Sequence, residues 1–270
     1  MKRRALLSAA AATGLAGCLT GYRGDGSPDD GGGRDGTGAV FGTRAPGNPD
    51  LVAESGIPAT ICQEPPQRTD ILAVDEPAFA DDWSGIDPAR RYRPDNDHSG
   101  LPDDAVVIGL QTDDGSRARA YPLSVLWDHE VVNDRFGGPV LVTYCPLCRS
   151  GMVAVRRVDG VATRFQVTGL LWKPPGAYGE ASRVEGRVFG ADNEGETAPA
   201  RNGNLVMVDD ATGSYWSQFL ARAICGPQAG TNLEIRPSAV ARWGDWRREH
   251  PGTDVLLPPP RSGTVEYRGT

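Results

Sequence analysis

Short β-branched runs broken by turn residues, with little helical period between them, constrain the fold of this 270-residue chain more than any other feature. Residues 105–110 (AVVIGL), 139–144 (PVLVTY), 152–155 (MVAV), 163–168 (TRFQVT) and 204–208 (NLVMV) have strand length and strand composition. Gly, Pro, Asp or Asn punctuates the spaces between them. Asp159-Gly160 is a two-residue turn signal, since both central positions of a type I′ turn need positive φ, and it predicts a hairpin joining 152–155 to 163–168. Helical signals are confined to 122–127, with Pro122 near the start, and 239–249, with Ser238 as cap and Pro251 beyond the end. The expected fold class is mainly β: an antiparallel sheet, as a sandwich or partly open barrel, with one or two peripheral short helices.

The ends of the chain read differently. Residues 1–18 begin with the basic run Lys2-Arg3-Arg4, continue through an apolar stretch and finish at Leu15-Ala16-Gly17-Cys18. That is an export signal, and it falls short of the roughly 20 apolar residues a spanning helix needs. The paired arginines resemble a twin-arginine signal and the final four residues a lipobox. On that reading Cys18 becomes the lipid-bearing first mature residue, and two acyl chains suffice for stable anchoring. The expected location is the outer face of the cytoplasmic membrane, reached through the N-terminal lipid. Residues 19–50 carry too little apolar surface to offset ordering and read as a flexible tether. Residues 51–270 are read as a single globular domain, interrupted by a Gly-, Glu- and Pro-rich loop at about 174–203. Lys2 and Lys173 are the only lysines, and the net charge is -7. Acid excess with so little lysine resembles proteins of salt-loving archaea, and it argues against nucleic acid as a partner. Neither a protein partner nor a small-molecule one is specified by the residues.

The residues with chemistry to offer are Cys145 and Cys148, preceded by Trp127-Asp128-His129-Glu130. A metal reading makes Cys145, Cys148 and His129 ligands for zinc or copper, with a further ligand from Cys225, Cys62 or a carboxylate, or a thioether from Met152 or Met207. A thiol-enzyme reading makes Cys145 the nucleophile and His129 its base, with Glu130 as a further acid or base. Cys-Pro-x-Cys also resembles thioredoxin-type redox motifs, but those place the first cysteine at a helix N-terminus, and 152–155 reads as strand. A structural reading counts four cysteines after Cys18, which allow three pairings. Cys145 with Cys148 would close a local loop, Cys62 with Cys225 a long-range staple, and the product would be an extracellular ligand- or partner-binding module. Trp216, Gln218 and Asp209 are pocket candidates. Trp243 and Trp246 read as core, His98 as a polar turn residue and His250 as a helix end.

An ordered series of segments carries a resemblance. Tyr121-Pro122-Leu123, Trp127-Asp128-His129-Glu130-Val131-Val132-Asn133-Asp134, Thr143-Tyr144-Cys145-Pro146-Leu147-Cys148, Gly169-Leu170-Leu171, Asn204-Leu205-Val206-Met207, Thr212 through Gln218, Gly226-Pro227 and Trp243-Gly244-Asp245-Trp246 resemble the domain of unknown function 3179 family over about 104–256. The resemblance implies an exported or membrane-attached protein and supplies no reaction. Members often carry threonine at the second cysteine, which shifts the weight onto Cys145 with His129. The 174–203 loop is longer than the family pattern.

Overall fold

The computed structural model describes residues 59–66, 71–93, 100–172 and 204–265, all within one compact unit. The expected signal with Cys18, the tether, His98 and the 174–203 loop lie outside the described residues. Among the described residues no helix is long and apolar enough to cross a membrane.

The fold is mainly β. In chain order the strands are β1 (Ala73–Glu76), β2 (Phe79–Ala80), β3 (Val106–Gln111), β4 (Ala118–Pro122), β5 (Val131–Arg135), β6 (Pro139–Cys145), β7 (Ser150–Val155), β8 (Arg157–Val158) and β9 (Val161–Ala162). They continue with β10 (Phe165–Trp172), β11 (Asn204–Asp209), β12 (Tyr215–Ser217), β13 (Arg222–Cys225), β14 (Ala239–Arg242), β15 (Asp254–Leu256) and β16 (Gly263–Val265). Two short helices interrupt them, α1 (Leu123–His129) between β4 and β5, and α2 (Trp243–Glu249) between β14 and β15.

The main sheets run β16-β1-β5-β6-β7, β10-β11-β12-β13 and β14-β3-β4-β15-β2. Most pairs are antiparallel, but β1 with β5 and β4 with β15 are parallel, so two of these sheets are mixed. The first sheet is the middle layer, and β6 shows why: all seven of its residues are buried. Its alternating side chains feed two cores, as a period of two requires. Val140, Val142 and Tyr144 join the core built with β3, β4, α1 and α2, whereas Leu141 and Cys145 join the core built with Phe165, Leu205, Met207 and Trp216. Behind the β10–β13 sheet a third cluster packs Ile61 and Cys62 on Val206, Tyr215 and Cys225.

Two expectations are corrected. Asp159 and Gly160 do turn with φ of 50° and 75°, yet the turn joins only β8 and β9. Strands β7 and β10 do not pair, because β7 is taken by β6 on one edge and by residues 234–236 on the other, and β10 crosses to the next sheet to pair with β11. The 239–249 stretch is not one helix. Residues 239–242 register against β3 as an edge strand, and α2 starts only at Trp243 without a side-chain cap.

Candidate functional site

Strand β6 ends on Cys145, and the run Pro146-Leu147-Cys148-Arg149 turns the chain back into β7, with Cys145 opposite Ser150 as the last rung. Arg149 takes φ of 51° to close the turn. The cysteine pair therefore caps a β-hairpin, with strand on both sides and no helix N-terminus behind it. Cys145 is fully buried, and Cys148 is partly exposed on the turn.

The polar surroundings of Cys148 come from three elements. Its sulfur lies 3.1 Å from the Ser150 hydroxyl on β7 and 3.3 Å from Asn204 Nδ2, the first residue of β11. Asn204 has two amide hydrogens, and the second goes to Gln218 Oε1 at 2.6 Å. Gln218 returns a bond from Nε2 to the Ser150 carbonyl at 2.9 Å, and the Phe219 N–H holds Asn204 Oδ1 at 2.6 Å. The Ser150 hydroxyl has one proton and three neighbours, Cys148 Sγ, Gln218 Oε1 at 3.0 Å and Asn204 Nδ2, which donates to it at 3.4 Å. It can donate to Gln218 while accepting from a thiol, or turn its proton to a thiolate.

These contacts split the two thiols. Cys145 donates to Cys148, which together with burial pushes its own ionisation far up. Cys148 is pulled well below the ordinary thiol range by that Cys145 hydrogen bond, with Ser150 and Asn204 helping against the cost of burial. Side-chain donors on a hairpin thus do what a helix N-terminus does in other reactive thiols. Of the two sulfurs Cys148 is the more accessible, while Cys145, expected above as the attacking group, lies behind it, buried.

Glu130 completes the cluster. It ends α1 in the left-handed region at φ 57°, and its carbonyl accepts the Tyr144 N–H at 2.9 Å, so β5 begins at once beside β6. The side chain is buried, and its carboxyl is pushed up to about 7 by desolvation and then by the charge of Cys148. Among the described residues no cation pairs with it.

His129 does not join. Its Nδ1 lies 2.6 Å from the Leu72 carbonyl and its Nε2 2.8 Å from the Tyr92 hydroxyl. A carbonyl only accepts, so Nδ1 carries the proton and Nε2 accepts from Tyr92. The ring is neutral, its basicity lowered by burial, and both nitrogens are committed. Among the described residues no three His, Cys, Asp or Glu side chains converge as a metal would require. Cys62 and Cys225, offered above as extra ligands, form a disulfide with Cα atoms 5.4 Å apart.

Of the pocket candidates, Gln218 sits in the site. Trp216 is fully buried against Phe165, and its Nε1 donates to Asp209 Oδ2 at 2.8 Å. Asp209 anchors the turn before β12 by accepting from Thr212 and Ser214 as well. Met207, Trp243 and Trp246 are core residues, and the His250 ring lies on Trp246 at the end of α2. The sequence assigns neither Ser150 nor Asn204 to a site; Asn204 enters there only as the start of a strand and of a family-like segment. The available signal was an asparagine opening a β-branched strand, where its type is disfavoured.

A cleft of about 400 Å³ opens beside Ser150, lined by Gly151, Met152, Gln218, Phe219, Ala221 and Ile235 among others. Most of its wall is apolar; Ser150 and Gln218 belong to both cleft and thiolate network.

A sequence model of the family described as "Protein of unknown function (DUF3179)" matches residues 69–174 and 195–268. The match starts well before residue 104 and passes over 175–194, inside the loop that departs from the family pattern. No curated protein and no solved structure matches the chain.

Proposed function

The chain belongs to the DUF3179 family, and since that description carries no reaction, we propose from the site itself that Cys145 and Cys148 form a dithiol–disulfide exchange centre. The observation behind it is a partly exposed sulfur receiving donors from Cys145, Ser150 and Asn204, with a second thiol directly behind it. In the exchange, the Cys148 thiolate attacks one sulfur of a substrate disulfide, whose S–S bond breaks and releases one substrate thiolate. Cys145 then yields its proton to the released substrate thiolate and attacks Cys148 Sγ. The second substrate thiolate leaves, and a Cys145–Cys148 disulfide remains. Two electrons have passed from protein to substrate, and the reverse sequence oxidises substrate thiols. Stabilising the Cys148 thiolate stabilises the reduced protein and so favours that reverse sense.

The test is trapping. With a small aryl disulfide, Cys145→Ser should accumulate a mixed disulfide at Cys148 by mass spectrometry, while Cys148→Ser should react at least about a hundredfold more slowly. Undiminished reaction in Cys148→Ser defeats the reading. The proposal concerns this chain's own pair and does not extend to members with threonine at the second position.

A second reading rests on the proton shared between the two sulfurs, a place where a soft monovalent copper ion would need only two thiolates. Zinc would want a third ligand, and His129 is occupied. Anaerobic copper titration with loss of the stoichiometric ion in Cys148→Ser supports this reading; equal retention removes it. We also propose, on the sequence pattern alone, export and lipid anchoring at Cys18. Cys18→Ala should move the protein from the membrane fraction to the soluble one.

A further inference from the structure

Strand β7 is an edge of the middle sheet, and its outer side is only half covered. The Val155 N–H bonds to the Glu234 carbonyl, and the Arg236 N–H bonds to the Val153 carbonyl, each at 2.8 Å, so residues 234–236 cap one end of the edge. Backbone groups alternate sides along a strand. The alternation that turns Val153 and Val155 outward also turns the N–H and C=O of Gly151 outward, into the cleft and next to Ser150 of the thiolate network. Gly151 is exposed, and a Cβ there would press inward on Ile108 and the Thr143 carbonyl. Its outer edge is therefore bare backbone. Around it stand exposed apolar side chains of the cleft wall, Phe219 and Ile235 at 62% and 52% exposure. A small polar disulfide uses neither a bare strand edge nor an apolar rim, whereas an extended peptide uses both.

We propose that this cleft seats an extended polypeptide, continuing the ladder that 234–236 begins and placing a cysteine of that polypeptide at Cys148. The substrate class is then the disulfide of an unfolded or locally extended protein segment with apolar residues beside its cysteine. This rests on the exchange reading above, and the experiment separates the two. Three probes share one aryl leaving group: the aryl disulfide alone, an extended peptide whose single cysteine carries the aryl group between leucine and valine, and the same peptide with serines there. The reduced full chain is mixed with each, and the released aryl thiol is followed. The apolar peptide should react about tenfold faster than the serine peptide, a factor matching the burial of one or two apolar side chains. Ile235→Ser, at a cleft wall outside the thiolate network, should shrink that advantage and leave the aryl disulfide rate as it was. An N-methyl at the peptide position facing Gly151 should slow the peptide alone. Equal rates for the two peptides overturn the polypeptide seat while leaving the exchange centre intact. Failure of Cys148 to react with the aryl disulfide overturns both.

Discussion

Two cysteines three positions apart have opposite fates because strand alternation drives Cys145 into the core while the turn leaves Cys148 at the surface. Iodoacetamide at pH 6 should therefore label Cys148 and spare Cys145 in the folded protein; the reverse order, read by peptide mapping, contradicts the assignment. Asn204→Ala removes a charge-assisted donor worth about 1.5 kcal/mol, which should raise the thiol pKa by about one unit in a pH–alkylation profile. Glu130 has a signed consequence for stability. Its folded pKa, about 7, lies above the unfolded value near 4.5, so the folded state holds the extra proton. That contribution is full below pH 4.5, is lost as pH rises through 7, and amounts to about 3 kcal/mol. Glu130→Gln should flatten this part of a thermal-melt series between pH 5 and 8. His129 works the other way, since its depressed basicity costs stability as pH falls below the ordinary imidazole range. The sequence groups Cys145 and Cys148 with His129 and offers Glu130 only as a further acid or base, whereas in the fold it is Glu130 that lies near Cys148. The partners of His129 were not legible in the sequence, because Leu72 and Tyr92 come from distant segments and one of them contributes only a backbone carbonyl.

At the scale of elements, local pattern identified the strands that pack and misjudged the one at an edge. Runs such as 139–144 are buried on both faces and so read as nearly continuous apolar sequence. The 239–242 stretch, largely exposed, takes strand form from its pairing with β3, which no local signal records. The same pairing explains Gly109 on β3: a Cβ there would lie inside the Trp246 ring of α2. Gly109→Ala should cost about 1–3 kcal/mol by overpacking, seen as a lower denaturant midpoint, and Trp246→Leu should recover part of it. An unchanged midpoint would show that α2 moves freely off the sheet.

For the whole molecule, three layers set the geometry. The middle sheet carries the hairpin with the cysteine turn, and the β10–β13 sheet supplies Asn204 and Gln218, so the site forms only when both layers meet. Layering was not legible in the sequence, since alternation predicts two faces for a strand without saying what covers each. The Cys62–Cys225 bridge closes a span of 163 residues. Cys62→Ser with Cys225→Ser should lower stability by about 2–5 kcal/mol in chemical denaturation. The rate of Cys148 alkylation should stay as it is, because the bridge touches none of its donors; a large change would tie the two sulfur pairs together.

That separation is a property of the β10–β13 sheet itself. Cys225 points into the cluster on one face, and Cys145 packs in the core on the other. A backbone sheet thus stands as a partition between the bridge and the thiol pair. Were the proposed exchange to run on the cleft side, its sulfurs would reach the staple only by taking the sheet apart, so the pairing that holds the chain would not scramble.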